Sequence, residues 1–98
     1  MEIKVTNIEH DQLDKVCDLL IQNDLPVDDI HDPTIKFFGI EDDNKIIGII
    51  GLEKYGQVGL LRSLAVLNEF QGKGIGNQLV NFLLKWCGDH QLNHVYLY

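Results

Sequence analysis

The chain has 98 residues, 45% of them hydrophobic, and carries a net charge of −7. That length supports one small domain, and no apolar run approaches the roughly 20 residues a membrane-spanning helix needs. The acidic balance argues against a nucleic-acid partner, because gripping phosphates takes a basic face. It suits a cationic substrate such as an amine, and it equally serves plain solubility.

The opening "MEIKVTNIEH" lacks the basic and then apolar regions of a signal peptide, so a cytoplasmic location is expected. Residues 2–6 alternate weakly and predict a first strand. From His10 to Asn23, Leu13, Val16, Cys17 and Leu20 fall on one face of a helix. Pro26 ends that region, and "VDDIHDP" is an acidic loop or a short second helix. "IKFFGI" and "KIIGIIGLEKY" are β-rich runs separated by "EDDN", which signals a hairpin. Gly48 and Gly51 inside the second run predict close packing or a bulge.

A further strand is predicted at Val58–Leu67, then a glycine-rich turn and a helix from about Gly74 to Asp89. The inner face of that helix is predicted as Ile75, Leu79, Leu83 and Trp86, widened by Val80, Phe82 and Cys87. "HVYLY" reads as a last strand. Short turns imply antiparallel pairing, and the closing strand–helix–strand unit implies one parallel pair. The fold class is therefore α+β (mixed α/β), with a mostly antiparallel sheet in a single domain, 1–98.

Cys17 and Cys87 both read as small core residues, with no disulfide framework or zinc pattern. His90 and His94 have ligand-like spacing only if a helix runs through "QLNH", which the following strand opposes. No metal site is expected.

The stretch "NEFQGKGIGNQLV", Asn68–Val80, carries the chemistry. Gly72, Gly74 and Gly76 sit where strand becomes helix. A helix N-terminus offers unpaired N–H groups and a partial positive charge of about 0.5. Removing side chains there lets a phosphate oxygen reach the backbone, and Lys73 adds a full charge. The plain alternative is that the glycines only close a tight turn. Neither the P-loop pattern nor the dinucleotide fingerprint is present, since the spacing is G-x-G-x-G.

Gln71-Gly72-Lys73-Gly74-Ile75-Gly76 resembles the Q/R-x-x-G-x-G/A acetyl-coenzyme A motif of the GCN5-related N-acetyltransferase (GNAT) family. Leu64-Ala65-Val66, upstream, resembles the strand that precedes it, and the element order is similar too. "FFGI", "GLEKYG" and "LLRSLAV" are similar to small bacterial arsenic-resistance-like acetyltransferases.

The resemblance implies an acyl-coenzyme A N-acetyltransferase-like fold, a twisted sheet with helices on both faces, and acetyl-coenzyme A as cosubstrate. It implies that the strand before the turn parts from the last strand. The backbones of Leu64, Ala65 and Val66 would then bond the pantetheine arm, with the Val66 N–H facing the thioester oxygen. Amides from Gln71 or Gly72 through Asn77 (Lys73, Gly74, Ile75 and Gly76 among them) would hold the pyrophosphate. A primary amine would attack directly, leaving both cysteines without a nucleophilic role.

Alternation puts Leu60, Arg62, Leu64 and Val66 on one strand face. Family members often place a base at positions matching Leu60 or Arg62, and neither residue here can serve. Glu53 is the candidate base, directly or through water; its alternative role is a salt bridge to Arg62. Ser63 is expected to point the other way. Family domains usually continue beyond the last strand seen here, so a partial domain is expected, with an exposed strand edge that invites a homodimer. A non-catalytic coenzyme A-binding or regulatory module is the alternative function.

Overall fold

The computed structural model describes residues 4–25, 27, 30, 32, 34–92 and 94–97. Its elements are β1 (Val5–Asn7), α1 (Leu13–Gln22), β2 (Ile35–Asp42), β3 (Lys45–Tyr55), β4 (Val58–Val66), α2 (Ile75–Asp89) and β5 (His94–Leu97). Short 3₁₀ turns at His10–Gln12 and Asn68–Phe70 precede α1 and α2. The alternative of a second helix in "VDDIHDP" falls mostly outside the described residues.

Five strands form one sheet in the order β1-β2-β3-β4-β5. The first four pair antiparallel, and β5 runs parallel to β4. Both hairpins follow from local chemistry. Asp43 and Asn44 take φ of 54° and 65° between β2 and β3, the left-handed pair a two-residue turn needs. Gly56, at φ 59°, serves the β3–β4 turn.

The helices lie on opposite faces. Leu13, Val16, Leu19 and Leu20 of α1 pack with Phe37, Ile46, Ile49 and Ala65. Ile75, Leu79, Leu83 and Cys87 of α2 pack with Phe38, Ile40, Ile47, Ile50, Leu52 and Leu61. Covered on both faces, β3 is buried continuously from Ile46 to Glu53, which is why its sequence reads as an unbroken apolar run. Leu79 and Leu83 are fully buried, so truncating either to alanine is worth about 2–5 kcal/mol.

One sequence expectation shifts here and an open alternative is settled. Cys87 takes the fully buried place and Trp86 sits at the margin, against the Phe38 ring at 5.4 Å. Gly48 and Gly51 serve close packing. A Cβ on Gly48 would come within 3.0 Å of Ile75, and one on Gly51 within 3.0 Å of the Phe37 ring. The bulges lie beside them, at Ile47 in β3 and at Ser63–Leu64 in β4.

Candidate functional site

The β4 bulge builds the site. Between the pairs Ile49–Ala65 and Gly51–Arg62, one residue of β3 faces two of β4. Ser63 makes room by adopting φ 59°. The bulge resets the alternation, so the expected single face of Leu60, Arg62, Leu64 and Val66 does not exist. Leu60 and Arg62 stay on the α1 side, where Arg62 meets Glu53. Leu64 and Val66 turn to the α2 side, with Val66 against the α2 core and Leu64 facing Gly76.

Pairing between β4 and β5 covers Val58–Leu61. From Arg62 to Val66, no strand pairs with that edge among the described residues. The Leu67 N–H donates to the Ile47 carbonyl at 2.8 Å. Strand alternation therefore turns the N–H and C=O of Val66 away from β3, onto the open edge. The same alternation directs the polar groups of Ala65 to β3 and those of Leu64 outward. Leu64 is 39% exposed beside the buried Ala65, on the opposite face.

Two carboxamides hold this edge. The Gln71 Nε2 donates to the Val66 carbonyl at 3.1 Å, and the Asn23 Nδ2 reaches the same oxygen at 3.4 Å. Sequence reasoning missed Asn23. Its signal was an asparagine just past a helix end, but the partner lies 43 residues away.

Beyond the edge, the chain turns through Gln71–Gly74 into α2. Gly72 and Gly74 both have φ 80°, a conformation open to glycine and strained for a side chain. A Cβ on either would meet nothing within 4 Å, so the mouth of the helix is unplugged. Gly74 is the N-cap, and no side chain caps the helix. Gln78 makes the first intrahelical bond, to the Gly74 carbonyl at 3.1 Å. The N–H groups of Ile75, Gly76 and Asn77 thus precede any helical acceptor. The first turn holds no acidic residue. Ile75 can offer only its backbone, since its side chain is core. A Cβ on Gly76 would lie 3.9 Å from Leu64, so the helix mouth and the open β4 edge are neighbours. Lys73 lies beside them, its Nζ 5.4 Å from the Phe70 ring. Bare donors, an adjacent cation and no carboxylate in the first turn suit a diphosphate.

On the α1 side, Glu53 is 8% exposed and accepts bonds from the Tyr55 hydroxyl and the Arg62 guanidinium. Tyr55 first, then Arg62, hold its carboxyl below the ordinary range, against desolvation that pushes it up. Donation to that carboxylate raises the Tyr55 hydroxyl in turn. Sequence reasoning paired Glu53 with Arg62 but missed Tyr55. Nearby, Asp32 accepts from the Thr34 N–H at 2.9 Å and the Thr34 hydroxyl at 2.8 Å, which lowers its carboxyl.

Burial pushes the Cys87 thiol up, the opposite of what a thiolate nucleophile needs. His90 lies just past the end of α2 and His94 opens β5, so they share no helix. No cluster of metal-ligating side chains occurs among the described residues. No helix among them is long and apolar enough to cross a membrane.

The fold has clear relatives among solved structures. A GNAT-family acetyltransferase from Staphylococcus aureus superimposes with a TM-score of 0.82 at 15% identity, covering 98% of this chain and 73% of that one. A ribosomal-protein-alanine N-acetyltransferase from Brucella melitensis gives 0.84 at 15% identity, covering 99% and 79%. An aminoglycoside 6′-N-acetyltransferase complexed with coenzyme A gives 0.76 at 22% identity, covering 96% and 60%. No curated protein sequence matches. Residues 5–98 match the profile of the acetyltransferase (GNAT) family, and the chain belongs to that family.

Proposed function

We propose that the chain moves the acetyl group of acetyl-coenzyme A to the primary amine of a small molecule or peptide. The observation that carries this reading is the meeting of an uncapped helix mouth with an unpaired strand edge, Gly76 beside Leu64. The pyrophosphate is held by amides from Gln71 or Gly72 through Asn77, with Lys73 adding charge. The pantetheine arm follows Leu64, Ala65 and Val66. Leu64 and Val66 supply outward polar groups, and Ala65 anchors them to β3. The reading needs no metal.

The lone pair of the amine nitrogen forms the new N–C bond. The C–S bond breaks, and its electron pair leaves on the coenzyme thiolate. Oxygen charge that builds up on the way is stabilised by the Val66 N–H. The proton lost by the amine passes to Glu53, directly or through water. A depressed pKa keeps Glu53 ionised at neutral pH but makes it a weak base, so the proton moves on quickly to solvent. We also propose that a second copy pairs along the outer edge of β5; a clean monomer in sedimentation at high micromolar concentration counts against that.

One observation favours a second reading, a coenzyme A-binding or regulatory module without turnover. Both oxygens of Glu53 are already engaged, by Arg62 and Tyr55. Thiol release from acetyl-coenzyme A across a panel of amines separates the two. Release that depends on added amine supports the enzyme. Coenzyme binding without such release supports the module, and no binding at all sinks both.

A further inference from the structure

A cavity of about 310 Å³ opens on the α1 face, and neither Glu53 nor any residue from Gly72 to Asn77 lines it. One flank of α1 forms a wall, because Lys15, Asp18, Leu19 and Gln22 recur three or four residues apart. The β2–β3 turn and Leu67 form the others. Its floor is apolar, with Leu19 3% and Ile46 6% exposed. The volume lies at the low end of small-molecule sites, which are roughly 300–1,000 Å³, apolar, and fitted with a few polar groups.

The rim inverts the charge of the protein. Fifteen Asp and Glu outnumber eight Lys and Arg along the chain, yet the lining of this rim carries Lys15 and Lys45 against Asp18, with Glu69 reaching Lys45 from outside it. The carboxamides of Gln22 and Asn44 add two groups that can donate or accept, and the Asn44 backbone is fixed in the hairpin turn at φ 65°. Lys45 is tied only loosely to Glu69, at 3.9 Å between two well-exposed side chains. Two lysines therefore stand on a polar rim set above an aliphatic floor.

From this arrangement we infer a second ligand site, for a small carboxylate with a short aliphatic body. The carboxylate sits between Lys15 and Lys45, and the body lies on Leu19, Ile46 and Leu67. Asp18 then accepts the amino group of any ligand that carries one, so a plain carboxylic acid and an apolar amino acid share this chemistry. The inference is independent of acetyl transfer.

The test uses the full chain, isotope-labelled, titrated separately with 4-methylpentanoate, L-leucine and isopentylamine while amide resonances are followed. At least one of the two carboxylates is expected to give saturable shifts at Leu19, Ile46 and Leu67, and the amine none. Tighter binding of leucine, lost in Asp18→Asn, identifies the amino acid as the better ligand; equal or weaker binding identifies the plain acid. The double variant Lys15→Gln/Lys45→Gln, both exposed positions, should weaken binding by about tenfold or more. The site is refuted if neither carboxylate saturates, if the amine binds as well, if the double variant binds unchanged, or if the shifts fall on residues 72–77.

Discussion

Helix α1 answers the positive charge at its own N-terminus, whereas α2 leaves that charge open. A 3₁₀ turn containing Asp11 leads into α1, Asp14 sits in its first turn, and Gln12 accepts the Glu9 N–H at 3.1 Å. Neither helix has a side-chain cap bond, but in α2 the cap is a left-handed glycine and the first turn has no acid. Both helices bury one apolar face on the same sheet, so packing does not explain the difference. In a chain with fifteen carboxylates, keeping them all out of the first turn of α2 preserves an attraction for something negative.

The largest effect should come from placing a carboxylate in the open mouth. Gly74→Glu is expected to cut coenzyme A affinity by about 100-fold or more, which corresponds to roughly 3 kcal/mol. The left-handed backbone adds a folding cost of about 1–2 kcal/mol, but the position is open, so the fold survives. Gly74→Asn separates the two effects, because asparagine tolerates that backbone without adding charge. Calorimetric titration decides: an unchanged affinity in the Glu variant removes the diphosphate from this end of α2.

Glu53 gives a second, smaller effect on the other face. If it takes the proton from the amine, Glu53→Gln should slow turnover by at least about tenfold, with the loss growing as pH falls. An unchanged pH–rate profile removes Glu53 from the mechanism. Stability carries its own signature. The folded pKa of Glu53 is depressed, so its contribution is present above the unfolded value of about 4.5 and lost as pH falls through the lower folded value. Thermal melts between pH 7 and pH 3 should therefore show a steeper acid decline in the wild type than in Glu53→Gln. Parallel curves would mean that the contacts with Tyr55 and Arg62 contribute nothing net.

The open mouth was legible in the sequence because three glycines in five residues disclose a backbone exposed on purpose, and two of them do take positive φ. The strands and helices were legible for a related reason, since apolar period and turn residues are local. The bulge was not. Nothing about Ser63 marks it for φ 59°; that conformation is imposed by the register of β4 against β3, and it moved Leu64 and Val66 to the opposite face from Arg62. Asn23 and Tyr55 escaped similarly. An asparagine after a helix and a tyrosine at a strand end acquire their roles only when folding brings Val66 and Glu53 to them.

The smallest effects are the most discriminating, because they should have opposite signs at the two helices. Asn77 is exposed in the first turn of α2, so Asn77→Asp places a carboxylate where α1 already has Asp14. It should stabilise the fold by about 0.3–1 kcal/mol, a rise of roughly 2–6 °C in melting temperature for a domain of this size. The same charge should repel the pyrophosphate and weaken coenzyme A binding by about tenfold at low salt, and less as salt screens it. Asp14→Asn should instead lose about 0.3–1 kcal/mol of stability and leave coenzyme binding untouched. If Asn77→Asp stabilises without weakening binding, the ligand does not use this helix end. If Asp14→Asn costs nothing, the charges at α1 are incidental, and the contrast between the two helices loses its electrostatic basis.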